Sequence, residues 1–238
     1  MLGMLSHDMR SPLNTMMVTA SYLAALNAGA AVTEAASLLT RAGNGMKVLL
    51  DGMVDFKRTM LGLGINVVFA DIDLEEVLAD ELQQLRGAHP GHRLELEVFG
   101  DVRGHWDGQR LQQVLRNLVS NAIKYGSLDM PVRTVIVGEP NGVRIEVMNS
   151  GPTIEQSALH RMFEPLSRGS AAGQSHAADG GLGLGLFIVR EVAHAHGGQV
   201  DGRSDDGITV FDVWLPRNNQ TLLSLAHAGA QRRTESTI

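Results

Sequence analysis

The sequence predicts an α+β protein in which an N-terminal helical hairpin is followed by a two-layer α/β sandwich. Up to about residue 64, apolar residues recur at spacings of three and four, the period of an amphipathic helix. Beyond that point, short alternating segments typical of strands are mixed with further helical patterns. We therefore predict a hairpin domain over residues 1–64, a sandwich domain over residues 65–217 and a C-terminal tail over residues 218–238.

The hairpin is predicted from helical patterns over residues 2–23 and 38–60, which are separated by a glycine-containing turn over residues 27–32. Pro12 removes a backbone donor from the first helix and is expected to bend it. Two helices alone cannot bury both of their apolar faces. The most economical partner is a second copy of the chain, so we expect a homodimer held by a four-helix bundle.

The sandwich is predicted from three helices and five strands. The helices cover residues 73–85, with Asp73 as the N-cap, then residues 107–125, and finally a segment from about residue 184 to Gly197. The strands cover residues 67–69, 93–98, 134–137, 143–148 and 209–215. Helices grouped on one side of largely antiparallel strands form a two-layer sandwich.

The composition excludes several classes of protein. The 26 acidic residues outnumber the 20 basic ones, which argues against a nucleic acid ligand. The absence of Cys excludes disulfide scaffolds, Cys-ligated zinc and thiol nucleophiles. No apolar run approaches the roughly 18 residues of a membrane span, and no signal peptide is visible. We therefore expect a cytoplasmic chain without a membrane segment, although a longer full-length protein could be membrane-anchored.

The first candidate site is the pair His7 and Asp8, which are polar residues in an otherwise apolar helix. A neutral imidazole is a competent nucleophile when a neighbour holds the proton of its other nitrogen, and an adjacent carboxylate can do so. The plain alternative is a solvated pair on a helix surface. For an isolated pair this alternative is the more common one.

The second candidate is a polar face on the helix over residues 107–125. Asn117, Asn121 and Lys124 stand at positions i, i+4 and i+7 and share one face. Amide oxygens suit Mg²⁺, and an ammonium offsets phosphate charge. A helix with two polar surface residues explains the same pattern equally well.

The third candidate is a glycine-rich segment, because four of the six residues from 180 to 185 are glycine and an apolar helix follows directly. Glycine lets the backbone approach an anion, and the N-terminus of a helix attracts phosphate. The segment matches neither the dinucleotide-binding fingerprint nor the Walker A loop. A flexible linker is disfavoured because Leu-Phe-Ile-Val follows immediately.

Two shorter segments lie between these motifs. Asn149 follows a predicted strand and could hydrogen-bond the edge of an adenine, whereas a plain Ser-Gly-Pro turn is the alternative. Residues 162–165, Met-Phe-Glu-Pro, could be part of a site or a hydrophobic plug.

In their order, the motifs resemble the catalytic core of bacterial two-component sensor histidine kinases over about residues 1–216. Five segments are similar to the H, N, G1, F and G2 boxes of that family, at residues 6–13, 117–125, 149–154, 162–166 and 181–186. The resemblance implies a dimerisation and phosphoacceptor hairpin of the HisKA type, followed by an ATP-binding sandwich of the GHKL or Bergerat type. It also implies that ATP and Mg²⁺ are used to phosphorylate a histidine, and that the phosphoryl group passes to an aspartate on the receiver domain of a response regulator. By the same resemblance, an upstream sensor domain is expected.

The resemblance assigns a role to each matching residue. His7 becomes the phosphoacceptor, Asp8 the residue that activates it, and Asn121 the principal Mg²⁺ ligand with Asn117 beside it. Residues 154–180 become a mobile ATP lid. The implied nucleotide-binding set is Asn117, Asn121, Lys124, Tyr125, Asn149, Gly151, Thr153, Gly181, Gly183, Leu184, Gly185, Leu186 and Thr209.

The chain departs from the family pattern at several positions. Asn149 stands where the family usually has Asp, Thr153 replaces a glycine, and Ile208 replaces the glycine before Thr209. Ser11 replaces the Thr or Asn that supports phosphatase activity, which makes that activity a weaker expectation than kinase activity.

Three alternatives stay open from the sequence. The first is a phosphotransfer or adaptor protein whose ATPase-like domain no longer binds nucleotide. The second is an ATPase or serine kinase of the same superfold. The third is a metal site built on the histidine pairs at positions 89 and 92 or 194 and 196, although His194 and His196 would point to different faces of a helix.

Overall fold

The computed structural model describes residues 2–26, 28–167 and 182–217. These residues fall into two compact units. One unit contains the helices up to Gly64 together with residues 182–184, and the other contains the remaining described residues from Ile65 onward.

The first unit is a hairpin of two helices, α1 (Leu2–Ala25) and α2 (Ala30–Met60). Leu13 and Ala20 of α1 are buried, as is Ala36 of α2. A Cβ at Gly43 would lie only 2.9 Å from Met17 Cγ, so glycine at this position permits the helices to approach closely. An ion pair of 2.7 Å between Arg10 and Asp51 also joins the two helices.

The hairpin differs from its prediction at the turn. Because α2 begins at Ala30, the connection is shorter than the predicted turn over residues 27–32. Gly29 precedes α2 with a φ of 106°, a conformation that glycine adopts without strain. Pro12 lies inside α1, and the helix continues on both sides of it. Several apolar side chains of the hairpin stay exposed, namely Met16, Val18, Tyr22, Leu38, Leu39 and Met46.

The second unit contains seven strands and four helices among its described residues. In chain order these elements are β1 (Ala70–Asp73), α3 (Leu74–Ala88), β2 (Leu94–Phe99), β3 (Arg103–Trp106), α4 (Gly108–Tyr125), β4 (Val132–Gly138), β5 (Gly142–Ser150), α5 (Gln156–Arg161), α6 (Gly185–Ala195), β6 (Gln199–Asp205) and β7 (Ile208–Pro216).

The main sheet has five strands in the order β2-β4-β5-β7-β6. Strands β2 and β4 are parallel, and the other neighbours are antiparallel. Strands β1 and β3 form a separate antiparallel pair. The predicted two-layer α/β class is confirmed.

The core forms between the helices and one face of the main sheet. The apolar stripe of α4 contributes Leu111, Leu115 and Leu118, none of which exposes any surface. The sheet contributes alternate residues such as Ile136, Ile145 and Val213, which are equally inaccessible. This burial is the main source of stability for the unit, because each fully buried aliphatic side chain contributes about 1.5–3 kcal/mol.

One predicted strand is wrong. Residues 67–69 are not a strand, and pairing begins only at Ala70. The Val68 N–H donates to Asp107 Oδ2 at 2.7 Å, so its backbone donor is bonded to a side chain instead of a neighbouring strand. The Phe69 ring packs edge-on against His196, with 5.3 Å between the ring centroids.

The sequence patterns also missed β3, β6 and the short helix α5. Strand β3 has only four residues and pairs only with β1. Strand β6 is polar and lies at the edge of the main sheet, where no alternation of apolar residues is required. The predicted N-cap at Asp73 is confirmed, because its side chain accepts the Glu75 N–H at 3.0 Å.

The predicted lid and tail lie partly or wholly outside the described residues. Of residues 154–180, the structure describes only those up to Ser167, and the predicted tail over residues 218–238 is not described. Within the described part of the chain, no helix combines the length and the apolar content that a membrane span needs.

Candidate functional site

A cavity of about 410 Å³ lies in the second unit beside the C-terminal half of α4. Its volume is within the range of about 300–1,000 Å³ that is usual for small-molecule sites. Strands β5 and β7 and the segment that leads through α5 form its other walls. Five of the predicted nucleotide-binding residues line it: Asn121, Tyr125, Asn149, Thr153 and Thr209.

Asn149 and Thr209 form the polar end of the cavity. They are direct partners in the antiparallel pairing of β5 and β7, and only 7% and 3% of their surfaces are exposed. Burial of two polar side chains beside an open cavity is costly unless they find partners. Their position therefore points to recognition of a polar ligand edge.

Two successive hydrogen bonds connect Ile154, Ser204 and Thr209. The Ile154 N–H donates to Ser204 Oγ at 3.0 Å, and Ser204 Oγ lies 3.0 Å from Thr209 Oγ1. Either hydroxyl could be the donor of the second bond. These two hydrogen bonds connect the segment before α5 with the edge strand β6. They stabilise one wall of the cavity.

Two glycines let the backbone pass close to Asn149. A Cβ at Gly126 would collide with the Ala122 carbonyl oxygen and would lie 3.2 Å from Asn149 Cβ. A Cβ at Gly151 would lie 2.8 Å from the Tyr125 carbonyl oxygen and 3.6 Å from Asn149 Nδ2. Gly151 thus lies next to Asn149, and its predicted role in nucleotide binding remains a prediction.

The N-terminus of α6 lies next to the polar face of α4. A Cβ at Gly185 would lie 3.3 Å from Asn117 Oδ1, so glycine at this position lets the Asn117 amide pack closely against the start of α6. The unpaired N–H groups at a helix N-terminus attract phosphate. With Asn121 one turn further along α4, oxygen donors and anion-binding donors are close together. This donor set fits Mg²⁺, which prefers oxygen ligands.

Lys124 and Tyr125 end the polar face of α4. The Lys124 ammonium lies 5.4 Å from the centroid of the Tyr125 ring, and both side chains are exposed. Because the Lys124 ammonium is exposed, it can contact a charged ligand without moving out of a buried site.

Leu184 and Leu186 have side chains that face away from solvent. Each is 5% exposed, so only the backbone of these residues is available to hold an anion. Gly183 has a φ of 68°, which a residue with a side chain adopts only with strain. Gly181 lies outside the described residues.

His7 and Asp8 lie within α1. The structure describes their helical backbone, and their side chains lie outside the description. Their predicted roles as phosphoacceptor and activating residue therefore remain predictions.

The histidine pairs predicted as a possible metal site find no further ligands among the described residues. In the part of the chain that is described, no group of three or more His, Cys, Asp or Glu side chains could hold an ion. His196 is fully buried, accepts the Asp107 N–H at its Nε2 (3.0 Å), and has Nδ1 2.8 Å from the Val192 carbonyl oxygen. Burial lowers the pKa of His196 below 6.5, and the neutral ring suits both hydrogen bonds.

Sequence reasoning missed Arg161 and Phe211, which also line the cavity. It likewise missed the ion pair in which the partly exposed Arg116 holds both oxygens of the buried Glu81, at 2.8 and 2.7 Å, and so joins α3 to α4. Phe211 belongs to the apolar alternation of β7, and nothing in that pattern distinguishes a cavity wall from the core. The charge of Glu81 within an apolar helix face was the available indication of this ion pair.

Comparisons with known proteins agree with this geometry. Residues 106–219 match the family described as "Histidine kinase-, DNA gyrase B-, and HSP90-like ATPase". The bacteriophytochrome of Pseudomonas aeruginosa is 29% identical over 216 residues, which cover 91% of this chain and 29% of that protein. The sensor histidine kinase AtsR of Burkholderia thailandensis is 30% identical over 223 residues, which cover 90% of this chain and 36% of AtsR.

A solved structure extends the similarity to most of the chain. The full-length ShkA structure, in complex with AMPPNP, gives a TM-score of 0.65 at 27% identity and covers 90% of this chain and 45% of ShkA. The chain thus spans only about a third of the length of the two curated relatives.

These matches confirm that the chain resembles the catalytic core of sensor histidine kinases, and that residues 106–219 form an ATPase-like domain of the matched family. The relatives that match most of this chain include proteins named sensor histidine kinases.

Proposed function

We propose that this chain is the kinase core of a two-component sensor, which transfers the γ-phosphoryl group of ATP to His7. The phosphoryl group then passes to an aspartate on the receiver domain of a response regulator. In this proposal, residues 1–64 form the dimerisation and phosphoacceptor domain, and residues 65–217 form the ATP-binding domain. The proposal rests on the cavity beside α4, with its buried pair Asn149 and Thr209, in a domain that matches an ATPase family.

The adenine would lie at the end of the cavity that Asn149 and Thr209 form. Ile154, Met162 and Phe211 give the cavity apolar walls against which a base can pack. A buried amide and a buried hydroxyl then provide directional hydrogen bonds to the edge of the base. This division between apolar walls and a few polar groups suits a nucleobase better than it suits a fully charged ligand.

The phosphates would lie toward the N-terminus of α6. Gly185 lets a phosphate oxygen approach the backbone there, and Lys124 offers a positive charge on the adjoining face of α4. Asn121 and Asn117 would hold Mg²⁺ through their amide oxygens. When bound, that ion offsets negative charge on the phosphate oxygens.

The chemical step would be an in-line displacement at the γ-phosphorus. A ring nitrogen of neutral His7 forms the new N–P bond as the P–O bond to the β-phosphate breaks, and ADP leaves. Asp8 would hold the proton on the other ring nitrogen and stabilise the cation that forms on attack. The carboxylate would thus orient the ring and would not itself receive the phosphoryl group.

The proposed partners follow from this reaction. Exposed apolar residues on α1 and α2, such as Met16, Tyr22 and Leu39, are available to a second copy of the hairpin. The receiver domain would dock near His7, because the phosphoryl group must move from that residue to its aspartate.

The experiment is autophosphorylation with γ-labelled ATP and Mg²⁺, followed by treatment of the labelled protein with acid and with base. We expect label that is lost in acid and survives base, since this stability distinguishes a phosphoramidate from a phosphoester. His7→Gln should carry no label. The matched control His194→Gln changes an exposed histidine at the end of α6 and should keep it.

Label that survives acid would point to a hydroxyl acceptor and would contradict the role of His7. Failure of the protein to bind ATP at all would favour the adaptor alternative. Transfer to a receiver domain is tested by adding a candidate regulator to the labelled protein and following the loss of label from His7.

A further inference from the structure

Asn149 is a buried amide whose orientation is weakly held. Its Nδ2 donates to the Ser150 carbonyl oxygen at 3.4 Å, which is longer than the usual range of about 2.7–3.2 Å. That carbonyl oxygen already accepts a shorter bond of 2.7 Å from the Ser127 N–H. Within the described part of the chain, the Asn149 amide makes no other hydrogen bond. Rotation of the amide by 180° about its last torsion therefore gives up only this one long hydrogen bond.

The neighbouring hydroxyl is similarly adaptable. Thr209 Oγ1 and Ser204 Oγ lie 3.0 Å apart, and either one can donate to the other. The polar end of the cavity thus presents an amide and a hydroxyl, each of which can act as donor or as acceptor. The two charged residues that line the cavity, Glu155 and Arg161, are exposed, so neither is a buried charge at the polar end.

The two classes of purine have opposite patterns on the edge that such groups would contact. A 6-aminopurine such as adenine offers a donor at its exocyclic amine and an acceptor at the adjoining ring nitrogen. A 6-oxopurine such as hypoxanthine offers an acceptor at its oxygen and a donor at the adjoining ring N–H. An amide can pair with the first pattern in one orientation and with the second after rotation, whereas a carboxylate only accepts.

We propose that Asn149 allows the site to accept 6-oxopurine nucleoside triphosphates as well as ATP. This inference rests on the proposed function, because it assumes that a purine occupies the cavity beside α4. Selectivity at the 6-position is then weak in this chain, and a carboxylate at position 149 restores it by repelling the 6-oxygen.

The test compares ATP with inosine triphosphate, which has the same sugar and phosphates and differs in the base only in its 6-position pattern. Equilibrium dissociation constants are measured with Mg²⁺ for the full chain, for Asn149→Asp, and for Asn141→Asp. The last variant makes the same chemical change on an exposed turn between β4 and β5 and serves as the control. We expect the chain to bind the two nucleotides within about tenfold of each other, and Asn141→Asp to do the same.

For Asn149→Asp we expect ATP binding to persist and inosine triphosphate binding to weaken about 100-fold or more relative to ATP, because the carboxylate has no proton to donate to the 6-oxygen and repels it. An unmodified chain that binds ATP and rejects inosine triphosphate about 100-fold would overturn the inference and leave the proposed function intact. A chain that binds neither nucleotide would overturn both. The ratio of the two dissociation constants for the unmodified chain tests the inference even if Asn149→Asp fails to fold.

Discussion

Asp107 joins three segments of the second unit through its side chain and its backbone, and removal of the side chain is expected to destabilise that unit strongly. Its Oδ1 accepts the Arg110 N–H at 3.1 Å and so caps α4, while Oδ2 accepts the Val68 N–H at 2.7 Å. The backbone N–H of the same residue donates to His196 Nε2 at 3.0 Å. Only 7% of Asp107 is exposed, so water cannot easily replace these partners.

The expected cost follows from two lost interactions. Loss of an N-cap side chain costs about 0.5–2 kcal/mol, and loss of a hydrogen bond to a charged group costs about 1.5–3 kcal/mol. Val68 is 70% exposed, and water can partly satisfy its N–H, so the second contribution lies near the low end. Asp107→Ala should therefore lower the free energy of unfolding by about 2–4 kcal/mol. Asp107→Asn keeps an oxygen for the cap and should cost about half as much.

Urea unfolding followed by tryptophan fluorescence measures this effect, because Trp106 and Trp214 both lie in the same unit and Trp106 is fully buried. The control Asp129→Ala removes an exposed carboxylate from the loop after α4 and should change the free energy of unfolding by less than about 0.5 kcal/mol. If Asp107→Ala were as mild as this control, Asp107 would not join these segments in solution.

Three further predictions concern His196, Leu115 and Gly126. Burial lowers the pKa of His196 below its usual 6.5. As the pH falls, the imidazole is therefore protonated in the unfolded chain before it is protonated in the folded one, and stability should decrease below pH 6.5. Urea midpoints at neutral and mildly acidic pH should show a smaller difference in His196→Gln than in the unmodified chain. Leu115→Ala should lower the free energy of unfolding by about 2–5 kcal/mol, since Leu115 is fully inaccessible, whereas Ser120→Ala on the exposed face of α4 should be nearly neutral in the same assay. Gly126→Ala should weaken ATP binding and lower stability, because the added Cβ would collide with the Ala122 carbonyl oxygen and lie too close to Asn149. Titration with ATP measures the affinity, and an unchanged affinity would contradict this prediction.

Periodic burial explains why much of the fold could be predicted from the sequence. The apolar stripe of α4 recurs with the helical period, and Leu111, Leu115 and Leu118 are buried as that period requires. Strands β4, β5 and β7 alternate because one of their faces packs on the helices. Strand β6 was not predicted, because a polar edge strand has no such alternation of apolar residues.

Long-range pairings could not be predicted in the same way. His196 bonds to the backbone of Asp107, 89 positions away, and neither position has a pattern that reveals its partner. Similarly, Asn149 and Thr209 are opposite each other only because β5 and β7 pair in a particular register. The resemblance to sensor histidine kinases identified both residues, whereas local chemistry alone left a plain turn as an alternative for Asn149.

The most direct test of the account is to locate the phosphoryl group within the chain. After incubation with Mg²⁺ and ATP, the protein is digested under basic conditions, which preserve a phosphoramidate, and the modified residue is identified by mass spectrometry. We predict the modification on His7 alone, although Ser6 is adjacent to His7 and Ser11 is four residues further along the chain. A phosphoryl group on either serine, or on a peptide that lacks His7, would contradict it.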